Sequence, residues 1–249
     1  MVPPDLSNDS RKNGMFPATR WSLVSRARSG GAEGETAIEE LCRQYWFPIY
    51  AYLRSDGHAV ADAEDLTQGF FQLLLKDGLF QSAQEERGRL RSLLLTVLKR
   101  FVVNQKERAR AQKRGGGAKV LSFDVEDAEQ RYAIQPVDHR DPEKIYLATW
   151  ARSLIERARE KLRTLYRAAP RAEVAEALEP YLDPDEDRVP YREFSQKYSM
   201  KEAALRLHVF RLRQKFGDLL KEEVMLTVET PEEIEEELNW LKSILRGEN

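Results

Sequence analysis

The chain lacks the residues on which most chemistries depend. One cysteine in 249 residues, Cys42, excludes a disulfide framework and a thiolate metal cluster. Three histidines, His58, His139 and His208, lie far apart and share no spacing with acids that would make a metal site. Gly115-Gly116-Gly117 lacks the preceding strand and the following Lys-Ser/Thr of a phosphate loop. No apolar run approaches the roughly 20 residues needed to cross a bilayer. Residues 1–14 are polar and lack the apolar core of a secretory signal. No stretch alternates as a β-strand does, and no internal repeat is visible. The expectation is a cytoplasmic, all-α protein that is not an enzyme and holds neither metal nor cofactor.

The net charge is −2, with 33% of residues charged. The total hides a segregation of sign. Residues 87–114 are basic: Arg87, Arg89, Arg91, Lys99, Arg100, Lys106, Arg108, Arg110, Lys113 and Arg114 meet only Glu85, Glu86 and Glu107. Such a stripe attracts phosphates through counterion release, although a solvated helix face explains it equally well. Asn104 and Gln105 lie among these cations with groups able to pair with base edges. Residues 119–143 are acidic, with seven acids against Lys119, Arg131 and Arg140, and read as a linker.

Helical periods fill the rest. Ile38, Leu41, Tyr45, Ile49 and Leu53 share one face of a helix that Pro48 is expected to kink or split. Ala63, Leu66, Phe70, Leu73 and Leu74 mark a second helix, with Asp62, Glu64 and Asp65 in a first turn that favours acids. Leu90, Leu94, Val97, Leu98, Phe101 and Val102 mark a third, which enters the basic run. Ile145, Trp150, Leu154, Ala158, Leu162 and Leu165 open another unit after Pro142. Residues 191–220 read as helix, tight turn at Tyr198-Ser199-Met200, and helix. In that second helix Leu205, Val209, Leu212 and Phe216 face inward, which places Phe210 and Gln214 outside among Lys201, Arg206, Arg211 and Arg213. A major-groove reader needs this division, and an outward Phe210 suits a thymine methyl; a core aromatic is the plainer alternative. Thr230-Pro231-Glu232-Glu233 starts a last helix striped by Ile234, Leu238, Leu241 and Leu245.

The order of these parts resembles the extracytoplasmic-function (ECF) class of bacterial RNA polymerase sigma factors, in a branch with a C-terminal extension. Ile38-Glu39-Glu40-Leu41-Cys42-Arg43-Gln44-Tyr45-Trp46 resembles the opening helix of their first domain. Asp62-Ala63-Glu64-Asp65-Leu66-Thr67-Gln68 resembles their most characteristic motif. Arg87-Gly88-Arg89-Leu90-Arg91-Ser92-Leu93-Leu94 resembles the start of the promoter-melting helix. Ala204-Leu205-Arg206 and Val209-Phe210-Arg211-Leu212-Arg213 resemble the recognition helix.

Residues 1–15, polar, proline-containing and without periodicity, are expected to be disordered, and the resemblance implies a region-two-like domain at 16–114. It further implies an acidic linker at 115–143, a region-four-like helix-turn-helix domain at 144–226 and a helical extension at 227–249. Asp62, Asp65, Gln68 and Phe70 would bind core RNA polymerase. Arg100, Asn104, Lys106, Arg108 and Arg110 would lie at the minus-ten element of promoter DNA, and Lys201, Arg206, Phe210, Arg211 and Arg213 at the minus-thirty-five element. The acidic linker would thread toward the polymerase channel.

Three features depart from the pattern: Phe210 where a polar residue is usual, the long linker, and the tail. Such tails accompany branches linked to protein kinases, and an anti-sigma factor or a kinase is an expected further partner. The tail's acids are expected either to cover the basic recognition helix and inactivate it, or to pack as an extra helix on its own domain. Two other readings stand beside the sigma factor: a helix-turn-helix regulator acting without polymerase, and a sigma-like interaction protein.

Overall fold

A computed structural model describes residues 20–29, 31–76, 89–111, 124–133, 141–167, 172–183, 189–228 and 230–247. The helices in chain order are α1 (Arg20–Ser29), α2 (Gly31–Ser55), α3 (Val60–Lys76), α4 (Leu90–Ala111) and α5 (Val125–Ala133). Then follow α6 (Pro142–Arg167), α7 (Ala172–Ala177), a 3-10 turn (Glu179–Leu182), α8 (Tyr191–Lys197), α9 (Glu202–Met225) and α10 (Glu233–Arg246). The described residues contain no strand, so the expected all-α class holds. The expected N-terminal segment and Gly115-Gly116-Gly117 lie outside the described residues.

The middle of the molecule is α2. Its residues 44–53 are buried all round, which marks a helix surrounded by others rather than one with a single wet face. The helix runs through Pro48 without a break, contrary to the expected split. Losing the backbone donor there costs about 3 kcal/mol, and burial of its neighbours Trp46, Phe47, Ile49 and Tyr50 outweighs that. On one side α1 lies close because Gly34 has no side chain. A Cβ at Gly34 would sit 3.3 Å from the Arg26 carbonyl oxygen.

The first core unites α1 to α6 with Val224, Val228 and Leu241 of the C-terminal part. The second holds Leu178, Tyr181, Phe194, Leu205, Val209, Leu212 and Leu219. One helix serves both. In α6, Tyr146, Trp150 and Leu154 fill the first core, whereas Ala158 and Leu162 fill the second. The sequence reading placed all of this helix in the second unit. Asp141 caps it, accepting hydrogen bonds from the backbone N–H groups of Glu143 at 3.0 Å and Lys144 at 3.3 Å, and Pro142 occupies the first turn. Leu165, an expected core position, is 44% exposed near the helix end.

Part of the expected acidic linker is helical. Asp124 accepts a hydrogen bond from the Asp127 N–H at 3.0 Å, and α5 follows. Glu129 fastens α5 to α2. Its carboxylate accepts from Arg54 Nε at 2.7 Å, Arg54 Nη2 at 3.0 Å and the Tyr50 hydroxyl at 2.7 Å. Arg131 adds its guanidinium over the Phe47 ring at 4.1 Å.

The Arg54 hydrogen bonds hold the Glu129 carboxyl below its ordinary value of 4.5, against the opposing effect of burial. A carboxyl depressed by folding adds stability above its unfolded value and loses that contribution as pH falls through the folded one. We therefore expect Glu129→Gln to lower the urea midpoint at pH 7. The gap from wild type should close as pH is brought down through and below 4.5, read by tryptophan fluorescence. A gap independent of pH would contradict this role.

Candidate nucleic-acid interface

The helix-turn-helix is built on aromatics. Phe194 of α8 packs on Tyr181 at 5.7 Å and on Tyr198 at 4.5 Å between ring centroids. The chain then reverses through Ser199, whose φ of 51° is the left-handed conformation of a helix end. The Met200 N–H donates to the Ser195 carbonyl at 2.9 Å, and Lys201 precedes the first turn of α9. Both helices and the turn lie where the hydrophobic spacing put them.

Leu205, Val209 and Leu212 of α9 are buried. At about 100° per residue, Ala203, Leu207, Phe210 and Gln214 fall within about 60° of one another on the opposite side, and all four are exposed. Phe210 is 57% exposed and Leu207 47%. The core-aromatic alternative for Phe210 is thereby excluded. Sequence reasoning missed Leu207, although the spacing that turned Phe210 outward applies to it too. Lys201, Arg206 and Arg211 are exposed around this strip. Arg206 lies over the Tyr191 ring at 4.8 Å. Arg213 donates Nε to the Tyr181 carbonyl at 2.9 Å, so this part of its guanidinium ties α9 to the 3-10 turn.

A second basic surface belongs to α4. Arg100 and Asn104 are exposed one turn apart, with Val103 between them at 55% exposure. Lys106 is half-exposed and pairs with Asp56 at 2.7 Å; Lys99 pairs with Glu143 at 2.5 Å. The side chains of Arg108 and Arg110 lie outside the described residues. Leu94, Leu98, Phe101 and Val102 hold the opposite face in the core.

The basic run does not all face solvent. Arg91, expected on the basic stripe, is 6% exposed. Its guanidinium lies over the Trp150 ring at 4.5 Å and the Trp240 ring at 4.0 Å. It also makes a two-bond ion pair with Glu237 of α10, one arm at 3.1 Å. Arg89 pairs with the same carboxylate, and the Glu237 side chain is 1% exposed. Burial and the neighbouring Arg89 charge push Arg91 down to about 10, which leaves it charged at neutral pH. Of the tail's acids, Glu237 turns to α4 and Glu235 pairs with Lys221 toward the far end of α9 at 3.0 Å, while Phe210 and Arg211 are exposed, so the expected cover over the recognition face is not formed.

The acidic surface is on α3. Asp62 and Asp65 are exposed, and Gln68 donates to Glu64 at 3.2 Å. Phe70 is corrected. It is 0% exposed, edge-on to Phe101 at 5.7 Å and to Phe71 at 5.9 Å. Gly69 beside it lets α4 approach, since a Cβ there would meet the Phe101 ring at 3.4 Å. Phe70 therefore carries α3 from behind. We expect Phe70→Ala to cost about 3–5 kcal/mol in urea unfolding, whereas Asp65→Ala should change stability by less than about 0.5 kcal/mol. Similar losses for both would contradict this placement.

A family model for ECF sigma factors matches residues 66–211, more than half of the chain. The match runs from α3 through the first half of α9 and includes the exposed faces of α4 and α9. No curated protein and no solved structure matches. As a family, ECF sigma factors are not enzymes, and membership implies core RNA polymerase and promoter DNA as partners. No described helix is long and apolar enough to cross a membrane. With its all-α architecture and an outward-facing helix-turn-helix, the chain belongs to the ECF sigma factor family, which acts in transcription initiation.

Proposed function

We propose that this chain is a sigma subunit that docks on core polymerase through α3, opens promoter DNA with α4 and reads the upstream element with α9. The observation that carries this reading is the pair of outward basic faces on two separate helices, each backed by its own apolar row. Asp62 and Asp65 supply an exposed anionic edge for a basic polymerase surface, with Gln68 beside them. On α4, Arg100, Asn104 and Lys106, continued by Arg108 and Arg110, suit the minus-ten element. Val103 supplies an apolar contact for a base withdrawn from the stack, a step costing roughly a few kcal/mol.

On α9 the central strip is apolar and its borders are cationic. Arginines and Lys201 suit phosphates, which fix position, whereas Leu207 and Phe210 suit the C5-methyl of thymine. The minus-thirty-five element read by this helix is thus expected to be thymine-bearing at its centre, with Lys201, Arg206, Arg211 and the remaining donors of Arg213 on the backbone. The competing regulator reading keeps α9 and gives α3 no task. The sigma reading uses both.

The test is run-off transcription with purified core enzyme on sites selected from random DNA. The expected result is promoter-specific transcript with the chain and little without it. Asp62→Lys with Asp65→Lys should weaken core binding at least about tenfold while DNA binding by α9 is retained. Replacing thymines of the selected upstream site by deoxyuridine should weaken the wild type severalfold and the double variant Leu207→Ala with Phe210→Ala hardly at all, because both apolar contacts are already absent. Tight binding of the chain alone to one duplex site, with no stimulation of core enzyme, would replace the sigma reading by the regulator.

A further inference from the structure

The two cationic borders of α9 are not built alike. At about 100° per residue, Arg206 and Arg213 fall on one side of the apolar strip and Arg211 on the other. Arg206 and Arg213 are two turns apart, about 10.5 Å along the axis and about 20° around it. Arg211 is exposed, and its guanidinium makes no hydrogen bond, ion pair or ring contact with another described residue. The opposite border is held. The Arg206 guanidinium lies over the Tyr191 ring at 4.8 Å. Arg213 donates Nε to the Tyr181 carbonyl at 2.9 Å.

Both supports belong to one aromatic ledge. Tyr191 packs on Tyr181 at 5.1 Å between ring centroids, and Tyr181 meets Phe194 edge-on at 5.7 Å. Tyr181 is 1% exposed and donates its hydroxyl to the Val189 carbonyl at 2.5 Å, which fixes the chain where it enters α8. The half-buried ring under Arg206 thus rests on a fully buried one. A helix seated in the major groove, about 12 Å wide, has one DNA backbone along each flank. Stacking occupies the flat face of a guanidinium and leaves its in-plane N–H donors free for a phosphate. An arginine already held in place loses less conformational freedom when it binds.

We propose that Tyr191 is a positioning residue for DNA: its ring holds Arg206 as a preset clamp for one phosphate of the upstream element. The inference rests on the reading of α9 given above. Helix α9 then grips the two strands unequally. The strand beside Arg206 and Arg213 meets a rigid edge, which sets the register in which Leu207 and Phe210 reach the bases. The strand beside Arg211 meets a side chain that adapts.

Binding of the complex with core enzyme to duplexes carrying the selected upstream element tests this. Tyr191→Leu should weaken binding about two- to fivefold, the size of an exposed cation–ring contact. Tyr191→Phe keeps the ring and should recover most of that loss. In an Arg206→Ala background Tyr191→Leu should have no further effect, whereas in an Arg211→Ala background it should keep its full effect. Replacing phosphates one at a time by neutral methylphosphonates locates the clamp. One position should weaken wild type and leave Arg206→Ala unchanged, and Tyr191→Leu should respond to it less than wild type does. Circular dichroism and the urea midpoint of each variant report folding. Arg206→Lys leaves the ledge itself intact and keeps the charge without the flat face, so it should bind as weakly as Tyr191→Leu. Losses from Tyr191→Leu and Arg206→Ala that simply add, or Arg206→Lys binding as tightly as wild type, would reduce Tyr191 to a packing residue, and the sigma reading would stand. No preference of the wild-type complex for any upstream sequence would remove the reading of α9 and the clamp with it.

Discussion

A charged guanidinium buried between two tryptophans is the contact on which the arrangement of this chain depends. Taking an arginine out of water costs several kcal/mol, and the cost is met only where a carboxylate and aromatic faces surround it together. Trp150, Trp240, Glu237 and Arg91 do so from three helices: α4, α6 and α10. An apolar plug of the same volume would seal this junction at least as well. What the ions add is orientation. The two-bond geometry between Arg91 and Glu237 fixes both helices in register, and loss of either partner is penalised far more than loss of a methyl group.

Around that junction the fold is economical. One long helix, α6, completes two cores and so determines how the basic face of α4 and the exposed face of α9 are placed. Farther along α6, Arg157 and Lys161 each reach the Glu223 carboxylate of α9 at 2.8 Å, and Glu223 is nearly inaccessible. The helix is thus tied to α9 by a buried carboxylate and to α10 by the Trp150–Trp240 ring contact at 5.9 Å. Among the described residues, the outward faces of α4 and α9 carry no such ties at their centres. Phe210, Leu207, Val103 and Arg100 point outward from helices whose other sides are held rigid. Rigid backing with an exposed strip is what recognition of a groove needs.

The local pattern of the sequence was enough to read the helices. Periods of three and four gave α2, α3, α4, α6 and α9, and the outward turn of Phe210 followed from four apolar neighbours. Phe70 is instructive because two arguments disagreed over it. Its place in the stripe with Ala63 and Leu74 pointed inward, the family resemblance pointed outward, and the stripe was right. The Arg91–Glu237 pair was out of reach. Arg91 sits among cations that read as a solvated face, and its partner is 146 residues away. Only a fold that brings the tail to α4 makes burial of that arginine possible. Helix α5 was hidden for a simpler reason: its acids were counted as charge, while Asp124 was acting as a cap and Glu129 as an anchor.

The central claim is that the outward faces of α4 and α9 belong to one body, joined through α6 and the buried Arg91–Glu237 pair. Scanning calorimetry of the full chain addresses it most directly, because bodies that share a core melt together. The account predicts a single transition whose calorimetric and van't Hoff enthalpies agree. Two resolved transitions, one lost on unfolding the helix-turn-helix and the other unaffected by it, would show independent domains and contradict it.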